Sequence, residues 1–223
     1  MKHLVVLTGA GMSAESGLKT FRDANGLWEG HDVMSVASPE GFAANPELVL
    51  DFYNQRRKQL LEVKPNKAHL ELANLEKHFK VIIITQNVDD LHERAGSSHV
   101  IHLHGELLKA RSVRNENLIL DWKKDLILGD LDSHGDQLRP HIVWFGEAVP
   151  LIDEAAAICQ TADKLLIIGT SLQVYPAASL MHCVPENTPT YFIDPNPSIS
   201  STKNLTVIAK PATEGIHEFI SIF

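Results

Sequence analysis

Short apolar runs recur along the chain, separated by longer amphipathic stretches. Leu4-Val5-Val6-Leu7, Val81-Ile82-Ile83-Ile84, Val100 to Leu103, Lys164 to Ile168, Thr190 to Asp194 and Leu205 to Ile208 are compact and mostly β-branched or leucine. Runs of that length without polar alternation predict parallel strands buried on both faces. Between them, Pro46 to Leu61 has helical spacing, with Asn45 as the cap and Pro46 in the first position. Lys67 to Phe79, with apolar Leu70, Leu72, Ala73 and Leu75, reads as a second helix, and Leu151 to Thr161 and Glu214 to Ile220 as two more. Strands alternating with helices predict an α/β fold with a doubly wound parallel sheet.

Leu107 to Arg139 follows neither period, being polar and charged with scattered Leu118, Ile119, Leu120, Trp122 and Leu126. It reads as an excursion from the main fold. The expected organisation is one catalytic domain, its main fold a Rossmann-like sheet over about 1–30, 80–105 and 139–223, with a smaller inserted lobe over about 31–79 and 106–138. A chain of 223 residues, 44% hydrophobic and 22% charged, has enough apolar residues for one sizeable core. A net charge of -8 argues against nucleic acid or anionic membrane as a partner. Cys159 and Cys183 are the only cysteines, which excludes a disulfide framework and a cysteine-rich zinc site. With neither a leader peptide nor a membrane-length apolar run, the chain is expected in the cytoplasm.

The candidate chemistry lies where predicted strands end. After Leu7 the chain breaks into Gly9-Ala10-Gly11-Met12-Ser13-Ala14-Glu15, and Gly9, Gly11 and Ala14 fit a G-x-G-x-x-G/A turn, whose main-chain N–H groups and following helix receive a diphosphate. The acidic residue expected about 20 positions on, at the end of a second strand, is missing, so this is not an ordinary dehydrogenase start. In the next loop Arg22 can bind phosphate and Phe21 can cover a ring. Gln86-Asn87-Val88-Asp89, His104-Gly105, Gly169-Thr170-Ser171 and Asp194-Pro195-Asn196 close the other predicted strands.

Taken together, GAGMSAESGLKTFRD, TQNVDDLH, LHGEL, RPHIVWFGE and IGTSLQVYPAA occur in the order seen in the sirtuins, the NAD-dependent protein deacylases, and the chain resembles them over nearly its whole length. The resemblance implies that Gly9, Ala10, Gly11, Ser13 and Glu15 hold the diphosphate end of NAD, with Phe21, Arg22 and Trp28 in the cofactor loop. It puts Gln86, Asn87, Val88 and Asp89 at the nicotinamide and its ribose, and Gly169, Thr170, Ser171, Asp194, Pro195, Asn196 and Ala212 on the adenosine side. In the implied mechanism the acyl-lysine carbonyl oxygen attacks the ribose carbon as nicotinamide leaves, giving an imidate. His104 then takes a proton from a ribose hydroxyl, which attacks the imidate, and water completes the reaction; Asn87 and Asp89 serve the same step. Read from the residues alone, His104 with His102 two positions earlier is also a satisfied surface histidine or half of a metal pair. Val143, Trp144, Phe145 and Gly146 are implied to bind the substrate peptide by strand addition.

Tyr53 and Arg56 stand three apart on one helix, so they share a face. A guanidinium grips a carboxylate bidentately and a phenol adds a donor; the desuccinylase and demalonylase subgroup of sirtuins carries a similar Tyr-x-x-Arg pair. The expected substrates are therefore succinyl-, malonyl- or acetyl-lysine proteins, handled by a monomer. Most sirtuins hold a structural zinc with two Cys-x-x-Cys pairs, whereas the corresponding places here are Ser112 with Asn115 and Ser133 with Asp136. No zinc is expected, and the lobe from Leu107 to Leu138 must rely on apolar contacts around Leu120, Trp122 and Leu126. ADP-ribosyl transfer, NAD hydrolysis and a non-catalytic NAD or ADP-ribose binding module are the competing readings of the same site.

Overall fold

The computed structural model describes residues 1–19, 27–28 and 30–222, Leu27 and Trp28 by their backbone alone. From the N-terminus, β1 (His3–Thr8), α1 (Gly11–Ala14) and the hairpin β2 (Leu27–Trp28) and β3 (His31–Asp32) lead to α2 (Val33–Val36), α3 (Pro39–Ala44) and α4 (Pro46–Glu62). Next come α5 (Lys67–Asn74), β4 (Lys80–Thr85), α6 (Leu91–Arg94) and β5 (Val100–His102). Then β6 (Gly105–Ser112), β7 (Ile119–Asp121) and β8 (Leu138–Ile142) precede α7 (Ile152–Cys159), β9 (Lys164–Ile168), β10 (Thr190–Ile193), β11 (Leu205–Ile208) and α8 (Ala212–Ile220).

Among the described residues, six strands form a sheet ordered β11-β10-β9-β1-β4-β5, every neighbouring pair parallel. The apolar runs explain it. Leu4 and Val6 face one layer with α5 and α8, packing on Leu72, Ile216 and Phe219, while Val5 and Leu7 face the other with Ala155 and Cys159 of α7. Successive side chains of a strand take opposite faces, so a strand covered on both must be apolar throughout. From β1 the chain builds outward through β4 and β5, then returns to β9 on β1's other side. The order reverses between the C-terminal ends of β1 and β9, where doubly wound sheets open a crevice.

α4 begins as its sequence predicts: Pro46 is at the first turn and Asn45 Oδ1 accepts the Leu48 N–H at 3.1 Å. Two expectations need correction. Helix α5, assigned above to the small lobe, packs on the main sheet through Ala68 and Leu72. Its Leu70 is exposed, because it lies two residues from each of them and so on a different face.

The excursion is a three-stranded antiparallel sheet, β7-β6-β8. Leu126 is its buried centre, packed with Leu50, Ala110 and Leu138 and with Trp122 alongside, whereas Leu120 is exposed and lies outside that cluster. Polar bonds supply the rest. Asn54 of α4 donates to the Leu126 carbonyl at 3.0 Å and accepts the Leu126 N–H at 2.8 Å. Where the sirtuin pattern has cysteine pairs, Ser112 Oγ accepts the Arg114 and Asn115 N–H groups, Asp132 Oδ1 accepts those of His134 and Asp136, and Arg114 meets Asp136 at 3.1 Å. Among the described residues no group of three or more His, Cys, Asp or Glu is placed to hold a metal ion, and no helix is long and apolar enough to cross a membrane.

Candidate functional site

At the strand-order reversal the turns after β1 and β9 touch through their backbones. The Gly11 N–H donates to the Gly169 carbonyl at 2.8 Å. A Cβ on Gly169 would lie 2.1 Å from the Met12 nitrogen, and its φ of 66° is left-handed, so only glycine closes this junction without strain. Gln86 Nε2, past the end of β4, donates to Thr170 Oγ1 at 3.0 Å and bridges the same junction.

Over these turns opens a cleft of about 620 Å³, within the usual range for ligand sites. Gly9, Ala10, Gly11 and Ser13 line it from the first turn, Gln86, Asn87, Val88 and Asp89 from the end of β4, and His104 from the end of β5. Gly169, Thr170 and Ser171 come from β9, Asp194, Pro195 and Asn196 from β10, and Ala212 from the start of α8. Glu15 is at the rim, but its carboxylate accepts the Thr213 N–H at 2.9 Å and Thr213 Oγ1–H at 2.7 Å, so it joins the first turn to α8. Phe21 and Arg22 lie outside the described residues, as does the side chain of Trp28.

Beneath the cleft runs a buried polar chain. Asn87 Nδ2 donates to Ser13 Oγ at 3.1 Å, and Ser13 Oγ–H donates to Asp89 Oδ2 at 2.9 Å. Burial drives the Asp89 carboxyl above its ordinary value, against the Ser13 and Leu91 hydrogen bonds that pull it down. Among the described residues the Asn87 Oδ1 accepts from no group, so the amide keeps a donor and an acceptor for a ligand. That pairing is complementary to a carboxamide, and the donor set fits NAD.

His104 Nδ1 lies 3.1 Å from the Gln86 carbonyl, which fixes the tautomer: Nδ1–H donates and Nε2 is left as the basic nitrogen. Burial lowers its pKa and the Gln86 bond opposes this, so the ring is neutral at ordinary pH. His102 bonds instead to the Asn87 carbonyl at 2.9 Å and to Glu93 at 2.7 Å, so it is neither a bare surface residue nor half of a metal pair.

On the small-lobe side Tyr53 and Arg56 reach the cleft from one face of α4. The Tyr53 hydroxyl accepts Trp144 Nε1–H at 2.9 Å, and burial raises its pKa, so it stays a phenol. Arg56 lies over the Phe52 ring at 4.1 Å and donates to the Phe52 carbonyl at 3.2 Å. Val143, Trp144, Phe145 and Gly146 also line the cleft, with two corrections. Strand β8 stops at Ile142, and the Val143 and Phe145 N–H groups already donate to the His104 and Ala37 carbonyls, at 2.9 Å each. The Trp144 side chain is buried against the Arg139 guanidinium at 3.3 Å and serves the lobe's core. Sequence reasoning missed Gln59 and Tyr175, which also line the cleft. The signal for Gln59 was there, three residues beyond Arg56 on the same helical face.

Comparison with known proteins agrees with this geometry. The Sir2 family model matches residues 9–176. An NAD-dependent protein deacylase of Helicobacter pylori is 67% identical over 195 residues, 87% of this chain and 85% of its own. One from Bacteroides thetaiotaomicron is 57% identical over 225 residues, 98% of this chain and 96% of its own. The solved structure of a Sir2 homolog-NAD complex superposes with a TM-score of 0.88 at 40% identity, covering 99% of this chain and 89% of that one. Matched in sequence through both glycine turns and the histidine between them, and in fold from end to end, the chain belongs to the Sir2 family.

Proposed function

We propose that the chain is an NAD-dependent protein-lysine deacylase that prefers acyl groups ending in a carboxylate, succinyl or malonyl, and also accepts acetyl. The named relatives support the coarse reaction, and one geometric fact carries the preference: Tyr53 and Arg56 of α4 open into the cleft that holds His104. NAD supplies the electrophilic ribose carbon and, in the end, the acceptor for the acyl group.

The protein's own part is binding and proton handling. Gly9 to Ser13 and Gly169 to Ser171 offer close backbone approach and hydroxyl groups to the diphosphate and adenosine ends, and the Asn87 amide and Asp89 take the nicotinamide end. His104 Nε2 is the general base that removes a ribose hydroxyl proton; a neutral imidazole with Nδ1 tied to Gln86 suits that step. Arg56 faces the acyl carboxylate and Tyr53 orients it. The acylated lysine enters past Val143 to Gly146, through their carbonyls and the Gly146 end of the loop. The working unit is a cytoplasmic monomer whose partners are acylated proteins, not nucleic acid or membrane.

The test is to incubate the purified, chelator-treated protein with NAD and a peptide bearing succinyl- or acetyl-lysine, following nicotinamide and peptide mass together. Acyl loss in step with nicotinamide, faster for succinyl, is expected, and Arg56→Met should remove the succinyl preference while sparing acetyl. Nicotinamide release without acyl loss would replace this reading by ADP-ribosyl transfer or NAD hydrolysis, and no turnover at all by a binding module.

A further inference from the structure

Two histidines leave the end of β5 side by side, and the chemistry above uses only His104. Each ring reaches back to a main-chain carbonyl of the loop after β4: His104 Nδ1 to Gln86 at 3.1 Å and His102 Nδ1 to Asn87 at 2.9 Å. The second nitrogen sets them apart. His102 Nε2 stands 2.7 Å from a carboxylate oxygen of Glu93 on α6. A carbonyl and a carboxylate only accept, so a neutral ring would turn its lone pair against one of them. Only an imidazolium donates to both.

We propose that His102 is a protonated strut, braced by Glu93, which fixes the Asn87 carbonyl and so sets the geometry of the Asn87–Asp89 segment toward the nicotinamide end of NAD. The role rests on the reading of that segment given above, and it makes His102 a positioning residue. Its side chain is only 7% exposed, against 41% for Glu93, so the contact is shielded on the side where it holds the loop.

The surrounding charges favour the cation. Burial alone lowers the His102 pKa, but the Glu93 hydrogen bond and charge, the Asn87 carbonyl and Glu106 of β6 together raise it. Glu106 is itself paired with Lys109 at 2.7 Å. The charge on His102 in turn draws down the buried Asp89 carboxyl, and it adds to what keeps the neighbouring His92 neutral. For a raised pKa the contribution is complete below the ordinary imidazole value and is lost as pH climbs through the raised one. Losing that proton releases the Asn87 carbonyl, so NAD binding weakens on the alkaline side through His102.

Nitrogen NMR of the ¹⁵N-histidine-labelled full chain should show both His102 nitrogens protonated at neutral pH, with a single N–H on His104. Calorimetry of NAD binding from about pH 6 to about pH 9 gives the second readout. Affinity for the wild type should step down on the alkaline side. Glu93→Gln should move that step toward neutral pH, and His102→Gln should abolish it while weakening NAD roughly threefold to tenfold at neutral pH, the loss of one hydrogen bond. A single-tautomer His102 at about pH 6, a pH-independent wild-type affinity, or an alkaline step that survives in His102→Gln would overturn the proposal. If His102→Gln does not fold, the Glu93→Gln shift decides. A protein that binds NAD with this step yet removes no acyl group refutes the deacylase reading alone, and one that never binds NAD leaves the NMR arm to judge the strut.

Discussion

Replacing Glu147 by glutamine keeps the side chain's shape and removes one charge on which the loop at the mouth of the cleft depends. Its carboxylate accepts Arg139 Nη1 at 2.6 Å and Nη2 at 3.1 Å, Arg111 Nη2 at 3.1 and 3.2 Å, and the Trp144 N–H at 2.8 Å. The arginine side chains are 9% and 10% exposed and Glu147 20%. Without the charge, two shielded guanidiniums face each other, with the Trp144 ring as partial compensation for Arg139. Removing one partner of a buried ion pair costs about 3–5 kcal/mol. Glutamine still accepts one bond and the site is a fifth open, so about 2–3 kcal/mol is expected here. At roughly 2–4 °C per kcal/mol for a chain of this size, Tm should fall by about 4–12 °C. Urea unfolding followed by tryptophan fluorescence measures the free energy directly. Burial on its own raises the Glu147 carboxyl, but the Arg139 and Trp144 hydrogen bonds and both arginine charges hold it below its ordinary value. The stabilisation is therefore complete above that ordinary value and disappears as pH falls through the depressed one, so the wild-type and variant curves should converge in acid. A loss below about 1 kcal/mol, or a difference that persists undiminished in acid, would refute the argument.

Other perturbations probe the remaining links. Gly105→Ala puts a Cβ 2.1 Å from the His141 carbonyl oxygen at a φ of 82°, displacing the residue next to His104; turnover should drop about a hundredfold while NAD affinity, read by calorimetry, holds. Leu126→Ala empties the centre of the small antiparallel sheet and should cost about 2–5 kcal/mol, whereas chelator treatment should leave the wild-type melting curve in place. Because the His104 pKa is lowered, its neutral, basic form persists further into acid than an ordinary imidazole's, and kcat/KM for acyl peptide should begin to fall only below that ordinary value.

The parallel strands and the glycine turns could be read from the chain because each depends on local composition: a strand buried on both faces has no polar positions, and a backbone junction admits no Cβ. Most of the residues picked from the strand ends line one cleft for the same reason, since parallel strands deliver their C-terminal ends to one edge. The antiparallel lobe was opaque. β7 has all three of its residues exposed, so no alternation marks it as a strand, and the lobe's ties run from Asn54 to Leu126 across a separation of 72 residues. The packing of Trp144 was equally hidden, because nothing local says that an aromatic residue in a loop at the cleft will turn inward onto Arg139 and Tyr53.

His104 is the second of the two residues by which the polypeptide passes from the edge of the large parallel sheet, β5, into the first strand of the antiparallel one, β6. Its carbonyl receives the Val143 N–H on the small-lobe side while its ring holds Gln86 on the other. His104 thus sits on a splice between two separately built parts, which decides where the gene tolerates added length. Extra residues at the exposed tips near 115–117 or 133–135 should pass with little effect on turnover, whereas a single residue inserted between 102 and 106 would rotate the histidine off its register and leave two well-folded halves with no reaction between them.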